Sequence, residues 1–160
     1  MQVDRSKLLD SLGGNLALFL IPPLLLNGVI FGLHWDSNAA PSPYLPPGWL
    51  VGAIWMLLFT AMGVARWMLL RGGGANQDRD ASLVVLLAFL CMIYPLYTLG
   101  LRSESIGLAG SIFTALIAVW IAARLIRRSS TAAALVGLVI AWLVYASVAL
   151  ARTMNAQGSI

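Results

Sequence analysis

The charged residues of this chain stand far apart and divide it into long uncharged windows. The five longest hold 23, 29, 21, 19 and 23 residues, in the ranges 11–33, 37–65, 81–101, 105–123 and 129–151. A helix needs about 20 apolar residues to cross about 30 Å of hydrocarbon. Each window is therefore long enough for one membrane crossing and too short for two.

The composition favours a lipid environment and excludes several other classes of protein. The chain is 60% hydrophobic and 10% charged, whereas a soluble domain carries about 25% charged residues. The same values exclude a disordered chain, and the single cysteine, Cys91, excludes a disulfide-built module. Because the ten basic residues are scattered between apolar runs, they form no basic stripe, and no nucleic-acid partner is expected.

The apolar runs predict helices, because backbone polar groups in lipid must be satisfied within the segment itself. A transmembrane β-barrel would show alternating segments of roughly ten residues, and runs such as 83–90 do not alternate. We predict an all-α membrane protein, a five-transmembrane-helix bundle that forms a single integral membrane domain over residues 1–160. The predicted spans are about 15–33, 48–70, 82–101, 105–124 and 131–151, with an external loop at 34–47.

Basic residues are distributed unequally between the two sides of this arrangement. Eight lie at the N-terminus and in the second and fourth loops, whereas two lie in the third loop and near the C-terminus. The positive-inside rule then predicts a cytoplasmic N-terminus and an external C-terminus in a bacterial-type inner membrane. We expect the first span to be retained, because Pro22 and Pro23 interrupt it and no small-residue cleavage site is evident.

Few residues offer catalytic or metal chemistry. His34 is the only histidine, and no cysteine or second imidazole completes a metal set beside it. No carboxylate falls inside a predicted span, which argues against a proton-coupled or cation-coupled transporter. We therefore expect no enzyme activity, no metal site and no obligatory cofactor.

The loop between the first two spans is the most informative segment. Four prolines between residues 41 and 47 fix φ and remove backbone donors, so the loop is expected to be stiff and extended. Trp35, Tyr44 and Trp49 lie where this loop meets the membrane. They predict either an interfacial aromatic belt or a lid over a pocket that opens on the outer side, and both interpretations remain open.

The second span continues this pattern with further aromatic and small residues. Trp49 and Trp55 are offset by about 240° around a helix, so they do not share one face. The small-residue spacing of 28–32 and 48–52 predicts close approach between helices.

Later spans also carry aromatic residues in pairs. Tyr94 and Tyr97 flank Pro95, which is expected to kink the third span. Their hydroxyls would serve either a ligand or the backbone carbonyl that the proline frees. Trp142 and Tyr145 are three residues apart and share a helix face, where they form either an aromatic wall or core packing.

A double proline leads into the second span and is followed by two tryptophans six residues apart. This segment resembles the TspO/MBR family of tryptophan-rich sensory proteins. The span count and the long aromatic first loop extend the resemblance over nearly the whole chain. The residues that match the family pattern are Pro46, Pro47, Trp49, Trp55, Leu58, Met62, Gly63 and Ala65.

The resemblance implies a five-helix bundle, commonly dimeric, whose pocket lies beneath the first loop. Family members are similar in binding porphyrins and other tetrapyrroles, sterols or hydrophobic drugs. Two departures affect the polarity of that pocket: residues 89–95 lack the family's usual Asn and Trp, and Leu150 stands where an inward Asn is usual. By matching position, the pocket or lid residues would be Tyr44, Pro46, Pro47, Trp49 and Trp55, and Trp142 and Tyr145 resemble the aromatic pattern of the family's fifth helix.

These observations predict a membrane protein that binds a hydrophobic ligand, a porphyrin or other tetrapyrrole above all, in a sensory, regulatory or transport role. Expected partners are membrane lipid, a tetrapyrrole, sterol-like or isoprenoid ligand, and a second copy of the chain or another membrane-complex subunit. A bound tetrapyrrole or lipid is the only cofactor suggested. The alternatives are a non-catalytic accessory subunit of a larger membrane complex and, third, a tetrapyrrole-degrading enzyme. The predicted ligand-binding residues are Trp35, Tyr44, Pro46, Pro47, Trp49, Trp55, Tyr94, Tyr97, Trp142 and Tyr145.

Overall fold

The computed structural model describes residues 11–34, 43–72, 76–100 and 103–157. Across those ranges the chain forms five long helices and no strand. They are α1 (Leu12–Gly32), α2 (Gly48–Arg71), α3 (Gln77–Pro95), α4 (Glu104–Leu125) and α5 (Ser130–Gln157). A π-helical turn, Leu96–Gly100, continues α3. The predicted all-α fold is confirmed.

Local sequence signals explain where several helices begin and end. At the start of α1, the Ser11 side chain accepts a hydrogen bond from the Gly14 amide at 3.0 Å, and Ser103 has the same role for α4. Such caps satisfy donors that the first helical turn leaves without a partner. α2 begins directly after Pro47, whose φ is fixed. The π-helical turn follows directly on Pro95, which has no backbone donor to continue the regular α-helical pattern.

Four of these helices, α1, α2, α4 and α5, are long and apolar enough to span a membrane. Only 22% of the most apolar window of α1 and 39% of that of α5 is buried inside the protein. The outward surface includes large apolar side chains such as Leu25, Leu57 and Leu116, which are at least 65% exposed. Apolar surface of this extent marks contact with lipid or protein, and the chain is a multi-pass membrane protein.

α3 begins earlier than the sequence predicts and carries two acidic residues, Asp78 and Asp80, in its first turn. Acidic side chains are favourable there because the start of a helix carries partial positive charge. Asp80 precedes the predicted span of 82–101, so the expectation that no carboxylate falls inside a span is not contradicted, although the helix itself begins earlier, at Gln77. Asp80 lies within the helix and is 1% exposed.

α2 is the central helix of the bundle and contacts α1, α3 and α5, whereas α4 and α5 pack along each other as a hairpin. Side chains from all five described helices meet in one apolar core, to which α1 contributes Phe19. The fully buried members of this core include Met62, Val84, Leu87, Ile121 and Val136.

Two glycines mark places where neighbouring elements approach closely. A Cβ added at Gly107 in α4 would lie 2.7 Å from Cγ2 of Thr98, in the π-helical turn. A Cβ added at Gly63 in α2 would lie 3.3 Å from the carbonyl oxygen of Asn15 in α1. Side chains larger than hydrogen are therefore disfavoured at both positions.

The glycine pairs that the sequence suggested for helix contact do not lie at such places. A Cβ added at Gly28, Gly32, Gly48 or Gly52 would meet nothing within 4 Å. The expectation of close approach at these pairs is therefore wrong for packing among the described residues of one chain. These four glycines instead lie on parts of the helix surface that no neighbouring helix covers among the described residues.

Gly107→Ala is expected to lower the free energy of unfolding by up to about 2 kcal/mol, which is the usual overpacking cost of about 1–3 kcal/mol less the roughly 1 kcal/mol by which alanine favours a helix over glycine. The Thr98 hydroxyl donates to the Tyr94 carbonyl at 2.8 Å, so the Thr98 methyl group cannot rotate away without breaking that bond. Titration with sodium dodecyl sulfate in mixed micelles, followed by helix content, measures the effect. Gly28→Ala is the control and should be neutral or stabilising, because alanine favours helix by about 1 kcal/mol over glycine. Equal stability of the two variants would contradict the tight contact.

Candidate ligand-binding site

A cavity of about 100 Å³ lies at the end of the bundle where the segment before α2 meets α5. Four helices, α2, α3, α4 and α5, contribute to its wall. None of the lining side chains is charged, and the wall is almost entirely apolar, which is typical of sites for apolar small molecules. The lining residues are Leu45, Val51, Trp55, Tyr94, Ser111, Trp142, Leu143, Ala146 and Leu150.

Aromatic side chains form a continuous wall from α2 to α5. The rings of Trp55 and Trp142 meet edge to face, with centroids 6.4 Å apart and planes at 85°. Trp55 also contacts Phe59 at 5.9 Å, and Trp142 contacts Tyr145 at 5.5 Å. All three separations lie in the range in which aromatic rings attract each other. The wall is therefore held in shape by its own ring contacts.

The segment before α2 is attached to α5 beside this wall. The Tyr145 hydroxyl donates a hydrogen bond to the Tyr44 carbonyl oxygen at 2.8 Å. The Arg152 guanidinium lies 5.8 Å from the centroid of the Tyr44 ring, within the distance of a cation–π contact. Leu45, the next residue, lines the cavity. Residues 43–47 therefore form a cover that is held by α5.

A hydroxyl pair lies in the wall on the side of α3 and α4. The side chains of Tyr94 and Ser111 are hydrogen-bonded to each other, and Ser111 is 1% exposed. The Tyr94 backbone carbonyl accepts a separate hydrogen bond from Thr98. Tyr94 thus links α3 to α4 at the cavity, and Thr98 binds the carbonyl near the proline.

Five of the residues predicted for the site lie together in the structure. Trp55, Tyr94 and Trp142 line the cavity, and Tyr44 and Tyr145 form the contact that holds the cover. For Trp142 and Tyr145, the sequence left open whether they pack in the core or form an aromatic wall, and the structure shows features of both. They pack against each other, and the Trp142 ring also forms part of the cavity wall.

The other five predicted residues do not line the cavity among the residues described. Pro46 is half-buried and Pro47 is exposed, and both lead from the cover into α2. Trp49, which was predicted as a pocket residue, is 73% exposed, and its offset of about 240° from Trp55 places the two rings on different faces of α2. Trp35 lies outside the described residues, as does the side chain of Tyr97.

Sequence reasoning did not select several small and aliphatic residues that complete the wall. Trp142, Ala146 and Leu150 follow one another at intervals of four, a spacing that places side chains on one helix face. That spacing was the available signal for Ala146. Leu150 was noted only as the replacement for an asparagine, and it lines the cavity. This part of the wall therefore has no amide group.

A buried ionic cluster lies at the opposite end of the bundle. Arg124 Nε donates to Asp80 Oδ1 at 2.6 Å, and Arg128 Nε lies 3.7 Å from Asp80 Oδ2. The Asp80 side chain is 2% exposed, whereas Arg124 is 31% exposed. A second polar contact joins α1 to α2, where Arg66 donates from Nη1 to the side-chain oxygen Oδ1 of the buried Asn15. These polar contacts connect α3 to α4 and α1 to α2 at this end.

Metal binding has no candidate in the part of the chain that the structure describes. Within those ranges, no three histidine, cysteine, aspartate or glutamate side chains lie close enough together to hold an ion. The cavity and its aromatic wall are therefore the feature on which a functional interpretation rests.

Comparison with known proteins agrees with the resemblance noted in the sequence. A family model described as the TspO/MBR family matches residues 16–155. A protein named Translocator protein, from Sus scrofa, is 28% identical over 119 residues, which cover 72% of this chain and 70% of that protein.

Proposed function

Because the chain belongs to the TspO/MBR family, we propose that it binds a flat, apolar ligand of the tetrapyrrole class in the cavity beneath residues 43–47. Its role would be sensory, regulatory or transport. The observation that carries the proposal is the aromatic wall, in which Trp55 and Trp142 meet edge to face at 6.4 Å. Flat ring systems gain both buried area and offset stacking against such rings.

The size of the cavity determines how such a ligand enters. A volume of about 100 Å³ is below the roughly 300–1,000 Å³ of typical small-molecule sites. A macrocycle therefore requires the cover, residues 43–47, to move away from α5. The Tyr145 hydrogen bond and the Arg152 ring contact can both break without disturbing a helix. Arg152 would then lie at the rim, where it pairs with the carboxylate groups of the ligand.

The proposal includes five membrane spans, with the N-terminus in the cytoplasm of a bacterial-type cell and the cavity near the outer face. Among the five proposed spans, α3 requires a separate argument that it can cross the membrane, because charged residues occupy its first turn. Residues 81–100, which follow Asp80, carry no charge, and 20 helical residues extend about 30 Å. Arg66, Arg71 and Arg124 lie near the end of the bundle that holds Asp80, which supports a cytoplasmic location for that end. A homodimer of such bundles is also part of the proposal.

A second candidate function is that of a non-catalytic accessory subunit in a larger membrane complex. Gly28 and Gly32 leave an open face on α1, and small residues at this spacing let a partner helix approach closely. Native mass spectrometry from mild detergent separates the two functions. A stoichiometric foreign subunit without bound pigment would favour the accessory role, and a pigment-bearing homodimer would favour ligand binding.

Degradation of a tetrapyrrole ranks third. None of the nine lining side chains is a carboxylate, a histidine or a lysine, the groups that most often transfer protons in enzymes. The lining therefore supports binding over catalysis. Product formation from a bound tetrapyrrole in the dark would favour the enzyme.

Titration with protoporphyrin IX tests the proposed site. We expect saturable quenching of tryptophan fluorescence and a shift of porphyrin absorbance, both above a detergent blank. Trp55→Ala should bind about tenfold more weakly, because it removes a stacking surface. Trp120→Phe is the control, since Trp120 lies in α4, is 50% exposed and does not line the cavity. Absence of saturable binding, or equal affinity of Trp55→Ala and the unmodified protein, would contradict the proposal.

A further inference from the structure

The connection between α4 and α5 carries three arginines close together in the sequence. Arg124 lies in the last turn of α4, and Arg127 and Arg128 follow it in the turn that leads to α5. The backbone amides of Arg128 and Ser129 both donate to the Leu125 carbonyl oxygen at 2.8 Å, so this turn is hydrogen-bonded to the end of α4. We call Arg124, Arg127 and Arg128 the arginine cluster.

The arginine cluster carries more positive charge than its acidic partner neutralises. Asp80 Oδ1 accepts from Arg124 at 2.6 Å, and Asp80 Oδ2 lies 3.7 Å from Arg128, whereas Arg127 is exposed. Three arginines and one aspartate leave a net charge of +2, and the other two charged residues in the first turn of α3 are of opposite sign. Because Arg124 contacts Asp80 through Nε, the Nη edge of its guanidinium is directed away from that carboxylate. This surface therefore attracts a further anion.

An exposed apolar strip on α4 leads to the arginine cluster. Leu116 and Trp120 are exposed, and they precede Arg124 at intervals of four residues, which places the three on one helix face. The distance from Leu116 to Arg124 is about 12 Å along the helix. Ile126, between α4 and the last two arginines, is also exposed. The surface thus combines a cationic end with an apolar side, as a binding surface for a phospholipid does.

We propose that the arginine cluster binds the headgroup of one anionic phospholipid, whose acyl chain lies along Leu116 and Trp120. The phosphate accepts hydrogen bonds from the guanidinium groups, which suit two-point contacts with phosphate oxygens, and basic pockets between membrane helices bind anionic headgroups. The apolar strip favours a lipid over an acidic protein segment, because only the lipid also covers the strip. The inference is independent of the ligand in the cavity, since none of these residues lines it.

Native mass spectrometry of the full chain from mild detergent tests the headgroup. The probes are palmitoyl-oleoyl phosphatidylglycerol and phosphatidylcholine, which share their acyl chains and phosphodiester and differ in net charge. Each arginine near the membrane surface strengthens the binding of an anionic lipid about fivefold, so the net charge of +2 should make the first phosphatidylglycerol bind about 25-fold more tightly than phosphatidylcholine. Arg127→Gln should reduce this preference about fivefold, and the double variant Arg127→Gln and Arg128→Gln should remove it.

Arg71→Gln is the matched control for the loss of one charge. Arg71 is exposed at the end of α2, at the same end of the bundle, but it lies outside the arginine cluster, so its replacement should leave the preference unchanged. An equal loss in Arg71→Gln and Arg127→Gln would show attraction to the whole basic end and would overturn the inference. Equal binding of the two lipids by the unmodified protein would also overturn it, and would favour an acidic protein segment as the partner.

Quenching by brominated acyl chains tests the position of the lipid on α4. In phosphatidylcholine vesicles, brominated phosphatidylglycerol should quench tryptophan fluorescence more than an equal fraction of brominated phosphatidylcholine, because bromine quenches only near contact. The additional quenching should be absent in Trp120→Phe and retained in Trp49→Phe, which removes an exposed tryptophan at the opposite end of the bundle. Unchanged additional quenching in Trp120→Phe would overturn the inference. So would competition by glycerophosphoglycerol, the headgroup without acyl chains, because the site would then bind a free phosphate ester.

Discussion

Arg124→Gln is expected to lower the free energy of unfolding by about 3 kcal/mol, at the low end of the range for removing one partner of a buried ion pair. The substitution leaves the Asp80 carboxylate, which is 2% exposed, without the guanidinium that donates to it at 2.6 Å. Arg128 is the remaining ion-pair partner and lies 3.7 Å away, beyond hydrogen-bond distance. The low end applies because Arg124 is itself 31% exposed and partly screened by solvent.

Unfolding by sodium dodecyl sulfate in mixed micelles measures this loss, and a double-mutant cycle assigns it to the pair. Asp80→Asn combined with Arg124→Gln should lose less stability than the sum of the two single variants, because the second substitution removes a buried charge that has lost its hydrogen-bonded partner. Arg127→Gln is the matched control. Arg127 is exposed at the same end of the bundle, and its replacement should change stability by about 0.5 kcal/mol or less. An equal effect of Arg124→Gln and Arg127→Gln would contradict the importance of the ion pair.

Ala146→Phe is expected to abolish ligand binding without destabilising the protein. Ala146 lines the cavity, and a phenyl ring added at that position would occupy much of its volume of about 100 Å³. Protoporphyrin IX titration should therefore show no saturable quenching. Filling an existing cavity commonly stabilises a protein by about 0.5–2 kcal/mol, so the unfolding transition should be unchanged or moved to higher denaturant.

Val148→Phe is the control for the added ring. Val148 lies on the same helix, is 50% exposed and does not line the cavity. It should bind protoporphyrin IX as the unmodified protein does. Undiminished binding by Ala146→Phe would show that the ligand binds in another part of the molecule, whatever the stability of the variant.

The features that the sequence predicts correctly depend on neighbouring residues along the chain. Long uncharged windows predict the helices, because hydrogen bonding within a helix is local and lipid excludes charge. The angular offset between Trp49 and Trp55 predicts that at most one of them lines a given surface of α2, and 73% exposure of Trp49 agrees with it. The family could also be identified from the sequence, because the motif that indicates it is one continuous segment.

The features that sequence reasoning missed depend on residues far apart in the chain. Asp80 was expected before its span, and it is buried because Arg124, 44 residues later, supplies a partner. The contact that holds the cover joins Tyr44 and Tyr145 across 101 residues. Periodicity along one helix contains no information about such pairs, since they arise only when the helices pack.

Two of the contacts that hold Tyr44 would limit how often the proposed cover opens. One hydrogen bond contributes about 1 kcal/mol, and an exposed cation–π contact about 0.5–1 kcal/mol. Since Tyr44 makes a further contact as well, these two set a lower limit of about 2 kcal/mol on the free energy of opening and an upper limit of about 3% on the open population. Under the proposed function, a ligand that keeps the cover displaced would therefore bind at least about 30-fold more weakly than it would to a permanently open cavity. A ligand thin enough for the cover to close over it would avoid that penalty, so the proposed cover would select ligands by their thickness.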